Sequence, residues 1–268
     1  MNPASVSGVA RKAEGSAPLR ALARLGFAVN GLLHILIGFL AISVVFGAAN
    51  GSADQSGALA QLASTPGGAF VLWVVVLGLF ALGLWLLISA FLVQGDPKHK
   101  WSQRAANIGK AAAYFLLAGT SLTFARGGAT NSASSTSDAS AKLLSSPGGV
   151  FILFVLGLIV LAIGAYFVYT GATKKFTADL AVPSGTAGRA VITLGVVGYI
   201  AKGIVLGVVA ILIMIAALTV DPSKSTGLDG ALKTLAGLPF GSIILIAIGI
   251  GLIAYGVYCF ARAWRAQL

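Results

Sequence analysis

The sequence predicts an all-α integral membrane protein. Its six transmembrane helices form three tandem, parallel two-helix repeats with pseudo-threefold symmetry about the membrane normal. Three observations lead there. Of the 268 residues 57% are hydrophobic and only 9% charged, against about 25% charged in a soluble domain. Six apolar runs are long enough to span a bilayer. A short stretch also recurs: LASTPGG at 62–68, LLSSPGG at 143–149 and LAGLPFG at 235–241.

The apolar runs are 25–48, 68–93, 105–125, 148–173, 190–220 and 240–263. Each reaches the ~20 residues that a helix needs to cross about 30 Å of hydrocarbon. They are apolar on all sides, whereas barrel strands alternate over about ten residues. The fifth run is the longest, so it is expected to tilt or to project from the bilayer. The polar, basic stretch 1–24 lacks the apolar core of a signal peptide, and the first helix is expected to stay in the mature protein.

Charge predicts the orientation. Twelve basic residues lie on one side of the runs: Arg11, Lys12, Arg20, Arg24, Lys98, Lys100, Arg104, Lys174, Lys175, Arg189, Arg262 and Arg265. Four lie on the other side: Arg126, Lys142, Lys224 and Lys233. Cytoplasmic loops hold the excess of Lys and Arg. A multi-pass protein of the bacterial plasma membrane with both termini cytoplasmic is therefore expected. The +11 net charge is scattered over short juxtamembrane loops, which speaks against nucleic acid as a partner.

The recurring stretch marks a recurring unit. Nineteen residues after Pro66, Pro147 and Pro239 stand Trp85, Tyr166 and Tyr258. Two residues before each aromatic is a glycine: Gly83, Gly164 and Gly256. Upstream of the prolines, at near-constant distance, are Asn30, Lys110 and Lys202. The division is a cytoplasmic tail at 1–19 and repeats at 20–94, 95–176 and 177–268. Two crossings per repeat make every copy enter from the same side, so an axis along the membrane normal relates them.

In the first two copies Thr65 or Ser146 precedes the proline. The hydroxyl is expected to cap free N–H groups, and the proline to be the first residue of the membrane helix. GALAQLAS and GALKTLAG look like short interfacial helices, while GGATNSASSTSDAS is low in complexity and reads as a mobile loop.

The segment GYIAKG at 198–203, with GFAVNG at 26–31 and ANIGKA at 106–111, resembles the signature of actinobacterial membrane proteins called domain-of-unknown-function family 1206. That signature has a Gly-Tyr opening, an arginine, and a second helix after a Pro-Gly turn. Where it has arginine, this chain has Asn30, Lys110 and Lys202. The resemblance implies three copies of a two-helix unit in a bacterial plasma membrane and brings no activity with it.

Signals of chemistry are few. All seven acidic residues lie outside the apolar runs, which disfavours proton coupling through an intramembrane carboxylate. The motifs of P-loop NTPases, HExxH metalloproteases and GxSxG hydrolases are absent. One cysteine and two histidines give no metal or haem set. The chain is therefore expected not to be an enzyme and to need no cofactor.

The candidate binding residues are the polar and aromatic ones that recur within the runs: Asn30 with His34, Lys110 with Tyr114, Lys202, and the aromatics Trp85, Tyr166 and Tyr258. Residues four apart share a helix face. One reading has the lysines snorkelling to cytoplasmic headgroups and the aromatics forming an interfacial belt. The other turns them inward as a shallow cationic pocket for an anion or a lipid headgroup, with anionic membrane lipids as partners.

Two function classes follow. One is a transport or channel-like protein for an apolar, amphipathic or lipid-like cargo. The other is a non-catalytic lipid-binding or accessory subunit with a membrane-protein partner or a homo-oligomeric form.

Overall fold

The computed structural model of the chain describes residues 17–47, 51–92 and 97–265. Most of the expected N-terminal tail, 1–16, lies outside the described residues, as do the ends of the first two predicted runs.

The described residues form α1 Ala17–Val45, α2 Gln55–Ala63, α3 Gly68–Leu92, α4 Pro97–Ala125, α5 Ser132–Leu144, α6 Gly149–Ala172, α7 Gly185–Thr219, α8 Gly227–Ala236 and α9 Gly241–Arg265. Two 3₁₀ turns, Lys175–Asp179 and Pro222–Lys224, flank α7. Six helices, α1, α3, α4, α6, α7 and α9, are long and apolar enough to cross a membrane. With 35 residues, α7 is about 52 Å long and exceeds the hydrocarbon thickness. The order long–short–long therefore occurs three times.

The recurring stretch is a tight turn that joins a short helix to a membrane helix. Gly68 N–H donates to Thr65 C=O at 2.9 Å, Gly149 to Ser146 at 3.0 Å and Gly241 to Leu238 at 2.7 Å. The third turn residue has positive φ in each copy: Gly67 78°, Gly148 75° and Phe240 60°. Proline followed by a positive-φ residue is the type II turn pattern, and the residue at that position is usually glycine. Two expectations are corrected here. The membrane helices begin two residues after the proline rather than at it. The hydroxyls of Thr65 and Ser146 donate backward, to the C=O groups of Leu62 at 2.7 Å and Leu143 at 2.6 Å. They close the preceding short helix instead of capping the next one. The second glycine, Gly68 or Gly149, is required because a Cβ would overlap that same leucine carbonyl.

The serine-rich segment is a helix and not a mobile loop. Asn131 caps α5 by accepting from Ala133 N at 2.9 Å and Ser134 N at 3.2 Å. Neighbours hold it further. Ser140 donates to Ser225 Oγ at 2.9 Å, and Ser137 donates to the Pro222 carbonyl at 2.9 Å. Tertiary hydrogen bonds override a composition that by itself favours loop.

The residues fall into two compact units. Among the described residues, one comprises 17–30, 62–92, 97–128 and 259–265, the other 31–47, 51–61 and 129–258. In the first unit the start of α1, α3 and α4 pack together with the last turns of α9. Phe27, Leu82 and Ala263 form a buried cluster there, with Tyr114 against it. In the second unit α6 packs along α7. The short helices also meet in this unit: Ser56 and Ser132 hydroxyls are 2.8 Å apart, and Ala53 N–H donates to the Asp229 carboxylate at 2.8 Å.

Glycines set the helix contacts. Within repeat one, a Cβ on Gly26 would strike Leu82, and one on Gly78 would strike Val29. Repeat three reproduces both contacts at equivalent positions: Gly198 against Tyr255, and Gly251 against Ala201. A second type of contact joins successive repeats. Gly83 meets Phe115, Gly164 meets the backbone of Gly203, and Gly256 meets the backbone of Gly31. Small residues that admit a neighbouring backbone are the usual means of packing in lipid, where burying apolar surface against apolar lipid gains little.

Candidate functional site

The three recurring polar positions have different surroundings. Asn30 is buried, and its amide donates to Cys259 Sγ at 3.4 Å. Lys202 is half-buried. Its ammonium lies 4.4 Å from the Tyr255 ring centroid and 5.1 Å from that of Phe167. Lys110 is exposed.

Sequence equivalence explains these differences. Lys202 meets Tyr255 on its own repeat's second helix and Phe167 on that of the preceding repeat. For Asn30 the corresponding residues are Leu82 and Cys259. For Lys110 they are Ile163 and Leu86. Neither of these two is aromatic.

Around Lys202 the second unit builds an aromatic cluster. His34 and Tyr255 rings are 4.7 Å apart, Tyr199 and Tyr255 5.3 Å, and Tyr199 and Tyr258 5.6 Å. Phe176, from the turn between repeats two and three, stacks on Tyr199 at 5.0 Å and meets Tyr258 edge-on at 5.2 Å. Gly195 makes room for it, since a Cβ there would overlap the Phe176 ring. Rings at these separations attract by edge-to-face and offset-stacked geometry. Lys202 and His34 thus stand within one cluster with Tyr258, whose side chain is fully buried.

The remaining candidates lie elsewhere. Trp85 is buried in the first unit, and Tyr114 is half-buried against the Phe27 cluster. Tyr166 is 61% exposed. Near it Lys175 stands 4.6 Å from the Tyr169 ring. Its ammonium is held above the ordinary lysine value, chiefly by its hydrogen bond to the Tyr169 side chain. The eight candidates therefore do not share one environment: His34, Lys202 and Tyr258 are together, whereas Lys110 and Tyr166 are exposed.

Sequence reasoning did not single out Phe167, Phe176, Tyr255, Cys259 or Arg262. Arg262 lies 4.7 Å from the Phe27 ring, in the first unit. Tyr255 was within reach of the repeat alignment, as the partner of Leu82 and Ile163. Phe176 sits in a polar connection that gives no such signal. Arg104 does a separate job at the base of the first unit. It donates to the Ala90 and Phe91 carbonyls at 3.1 and 3.4 Å, satisfying the free carbonyls at the end of α3.

A repeat-wide difference emerges from the same comparison. On the first helix of each repeat, the face at Gly26, Val29, Asn30 and Leu33 is buried, and so is the equivalent face at Gly198, Ala201 and Val205. In repeat two the corresponding Ala106, Gly109, Lys110 and Ala113 are all exposed. On the second helix, Val75, Gly78, Leu82 and Trp85 are buried, and so are Ile248, Gly251, Tyr255 and Tyr258. Their equivalents Leu156, Ile159, Ile163 and Tyr166 are exposed. The glycine that receives Val29 or Ala201 in the sister repeats is here Ile159.

Three stretches, 25–92, 105–174 and 197–266, match the family described as Domain of Unknown Function (DUF1206). The Uncharacterized protein YxxB of Bacillus subtilis (strain 168) is 30% identical over 256 residues, covering 91% of this chain and 90% of its own length. That relative is from Bacillus, so the restriction to actinobacteria is not supported. No solved structure matches the chain. With its family domain repeated three times along six apolar spans, the chain belongs to the DUF1206 family of membrane proteins.

Proposed function

We propose that this protein is a non-catalytic, lipid-binding component of the bacterial plasma membrane, with both termini cytoplasmic. The observation that carries the reading is the apolar surface of six helices long enough to cross a membrane, with large side chains such as Phe70, Leu116 and Phe151 exposed, which a lipid or lipid-like molecule can cover. The basic excess on one side of the spans supports the orientation and suits anionic headgroups in the inner leaflet.

The channel-like reading is weaker. Of the three recurring polar positions, Asn30 is engaged by Cys259 and Lys202 by two rings. Those two are used for packing rather than as the polar wall of a path. Carriage of an apolar or amphipathic cargo stays compatible with the exposed apolar side chains of the long helices.

The test is native mass spectrometry of the full chain released from nanodiscs of mixed phosphatidylcholine and phosphatidylglycerol. Lipid retained through gentle activation, enriched over the input composition, supports the reading. A chain that sheds all lipid with no selectivity contradicts it.

A further inference from the structure

We propose that the buried carboxylate of Asp54 anchors a site for a small monovalent cation, sodium in size and charge, where α2, α5 and α8 meet.

Asp54 stands directly before α2 and is 0% exposed. One carboxylate oxygen, Oδ1, accepts from Ser56 Oγ at 2.7 Å and from Gly57 N at 3.0 Å, the ordinary work of a helix cap. The other, Oδ2, is buried and accepts from no described residue. Hydroxyl groups extend the polar surroundings. Ser56 Oγ lies 2.8 Å from Ser132 Oγ and accepts from Ser132 N at 3.0 Å. Thr130, two residues before Ser132, has a buried Oγ1 that also lacks a partner among the described residues. A second carboxylate reaches the same segment, because Asp229 accepts from Ala53 N at 2.8 Å. All of these residues belong to the second unit.

Charge selects the occupant. Lys233, at 2.7 Å, neutralises Asp229. Asp54 forms no ion pair with any described Lys, Arg or His. An ionised carboxylate taken out of water is costly unless an opposite charge and hydrogen bonds meet it. A water molecule on Oδ2 would serve the oxygen and leave the charge, whereas a cation serves both. The atoms on offer are oxygens, from carboxylate, hydroxyl and the non-helical backbone of 51–54. Such a set suits a hard cation rather than one that prefers sulfur or imidazole. One uncompensated negative charge matches one positive charge. Calcium loops gather several carboxylates, and no group of three or more His, Cys, Asp or Glu lies together among the described residues. A cation bound here ties the start of α2 to α5 and α8, so its binding is read as stability.

Thermal unfolding of the full chain in detergent tests this, with sodium chloride exchanged for choline chloride at constant ionic strength. The variants are Asp54→Asn, which keeps a capping oxygen and removes the charge, and, as control, Asp138→Asn, at an exposed position of α5. The melting temperature of the parent is expected to rise with the logarithm of sodium concentration. The gain is about 3–6 °C at ten times the dissociation constant. Asp54→Asn is expected to lose that dependence and Asp138→Asn to keep it. A parent equally stable in sodium and in choline overturns the site, and that result needs no variant to fold. Sodium dependence that survives Asp54→Asn overturns it as well. Stabilisation by calcium but not by sodium, lost in Asp54→Asn, assigns the oxygens to a divalent ion and overturns the monovalent site.

Discussion

The Lys202 ammonium lies 4.4 Å from the centroid of the Tyr255 ring, seven residues after Ile248 on the same repeat's second helix. A lysine that sequence reading could place either in a ligand pocket or at the headgroups is held by aromatic rings of its own chain. The interaction is worth about 0.5–2 kcal/mol, depending on how dry the pair is.

A double-mutant cycle with Lys202→Met and Tyr255→Leu measures that contact. Each single variant changes packing as well as charge, so only the coupling is diagnostic. We expect a favourable coupling of about 0.5–2 kcal/mol in detergent unfolding. Additive effects of the two substitutions would show that the ring does not hold the lysine.

The short helices α2 and α8 are tied together through Asp229. Its carboxylate accepts the Ala53 N–H at 2.8 Å and pairs with Lys233 at 2.7 Å while buried. Asp229→Ala leaves a buried N–H without its acceptor, a cost of about 1–3 kcal/mol. Asp138 on α5 is exposed, and Asp138→Ala is expected to stay within about 0.5 kcal/mol. Equal melting temperatures for the two variants would remove Asp229 from its role.

Glycines that look alike in the sequence should differ sharply when substituted. A Cβ on Gly164 would crowd the Gly203 carbonyl and the Gly207 amide, whereas one on Gly119 meets nothing within 4 Å. Gly164→Leu must push two helix backbones apart and is expected to abolish the folded protein or cost more than about 3 kcal/mol. Gly119→Leu is expected to be neutral or mildly stabilising, since leucine favours helix over glycine. Size-exclusion profiles and thermal unfolding separate the two.

Outside the spans, Asp221 caps the turn before α8. It accepts from Ser223 Oγ at 2.6 Å and from Ser223 N at 3.0 Å. The Ser223 hydroxyl, then its amide, holds the carboxyl below the ordinary carboxylate value. A depressed folded-state pKa adds stability above the unfolded pKa of about 3.9, which is lost as pH falls through the folded value. Carboxyl NMR titration should place Asp221 below the ordinary aspartate value of about 3.9, and Ser223→Ala should move it back up. An Asp221 that titrates at the ordinary value would contradict the cap.

Much of the fold was legible because lipid imposes a simple rule: about twenty apolar residues per crossing. The starts of the odd spans were not. α1, α4 and α7 begin at Ala17, Pro97 and Gly185, five to eight residues before the apolar runs, because Arg, Gln and Ser extend a helix beyond the hydrocarbon without changing the hydropathy. α5 was hidden because Ser137 and Ser140 find their partners, Pro222 and Ser225, some 85 residues away. At the site the register of Asn30, Lys110 and Lys202 was readable from the repeats. Their surroundings were not, since each depends on which residue two other helices bring: Tyr255 and Phe167 for Lys202, Cys259 for Asn30. Repeat two also departs from the repeat pattern in the sequence itself: Ile159 stands where Gly78 and Gly251 stand in the sister repeats.

The central claim is that the exposed apolar side chains of the six long helices face lipid. Photolabelling tests it most directly. The full chain is reconstituted with a phosphatidylglycerol that carries a diazirine in its acyl chain, irradiated, digested and mapped by mass spectrometry. The account predicts adducts at the exposed Phe70, Leu116, Phe151 and Ile243, and protection of the buried Leu79, Leu153 and Leu245. Equal labelling of the exposed and the buried set, or protection of Leu116 and Phe151, would contradict it.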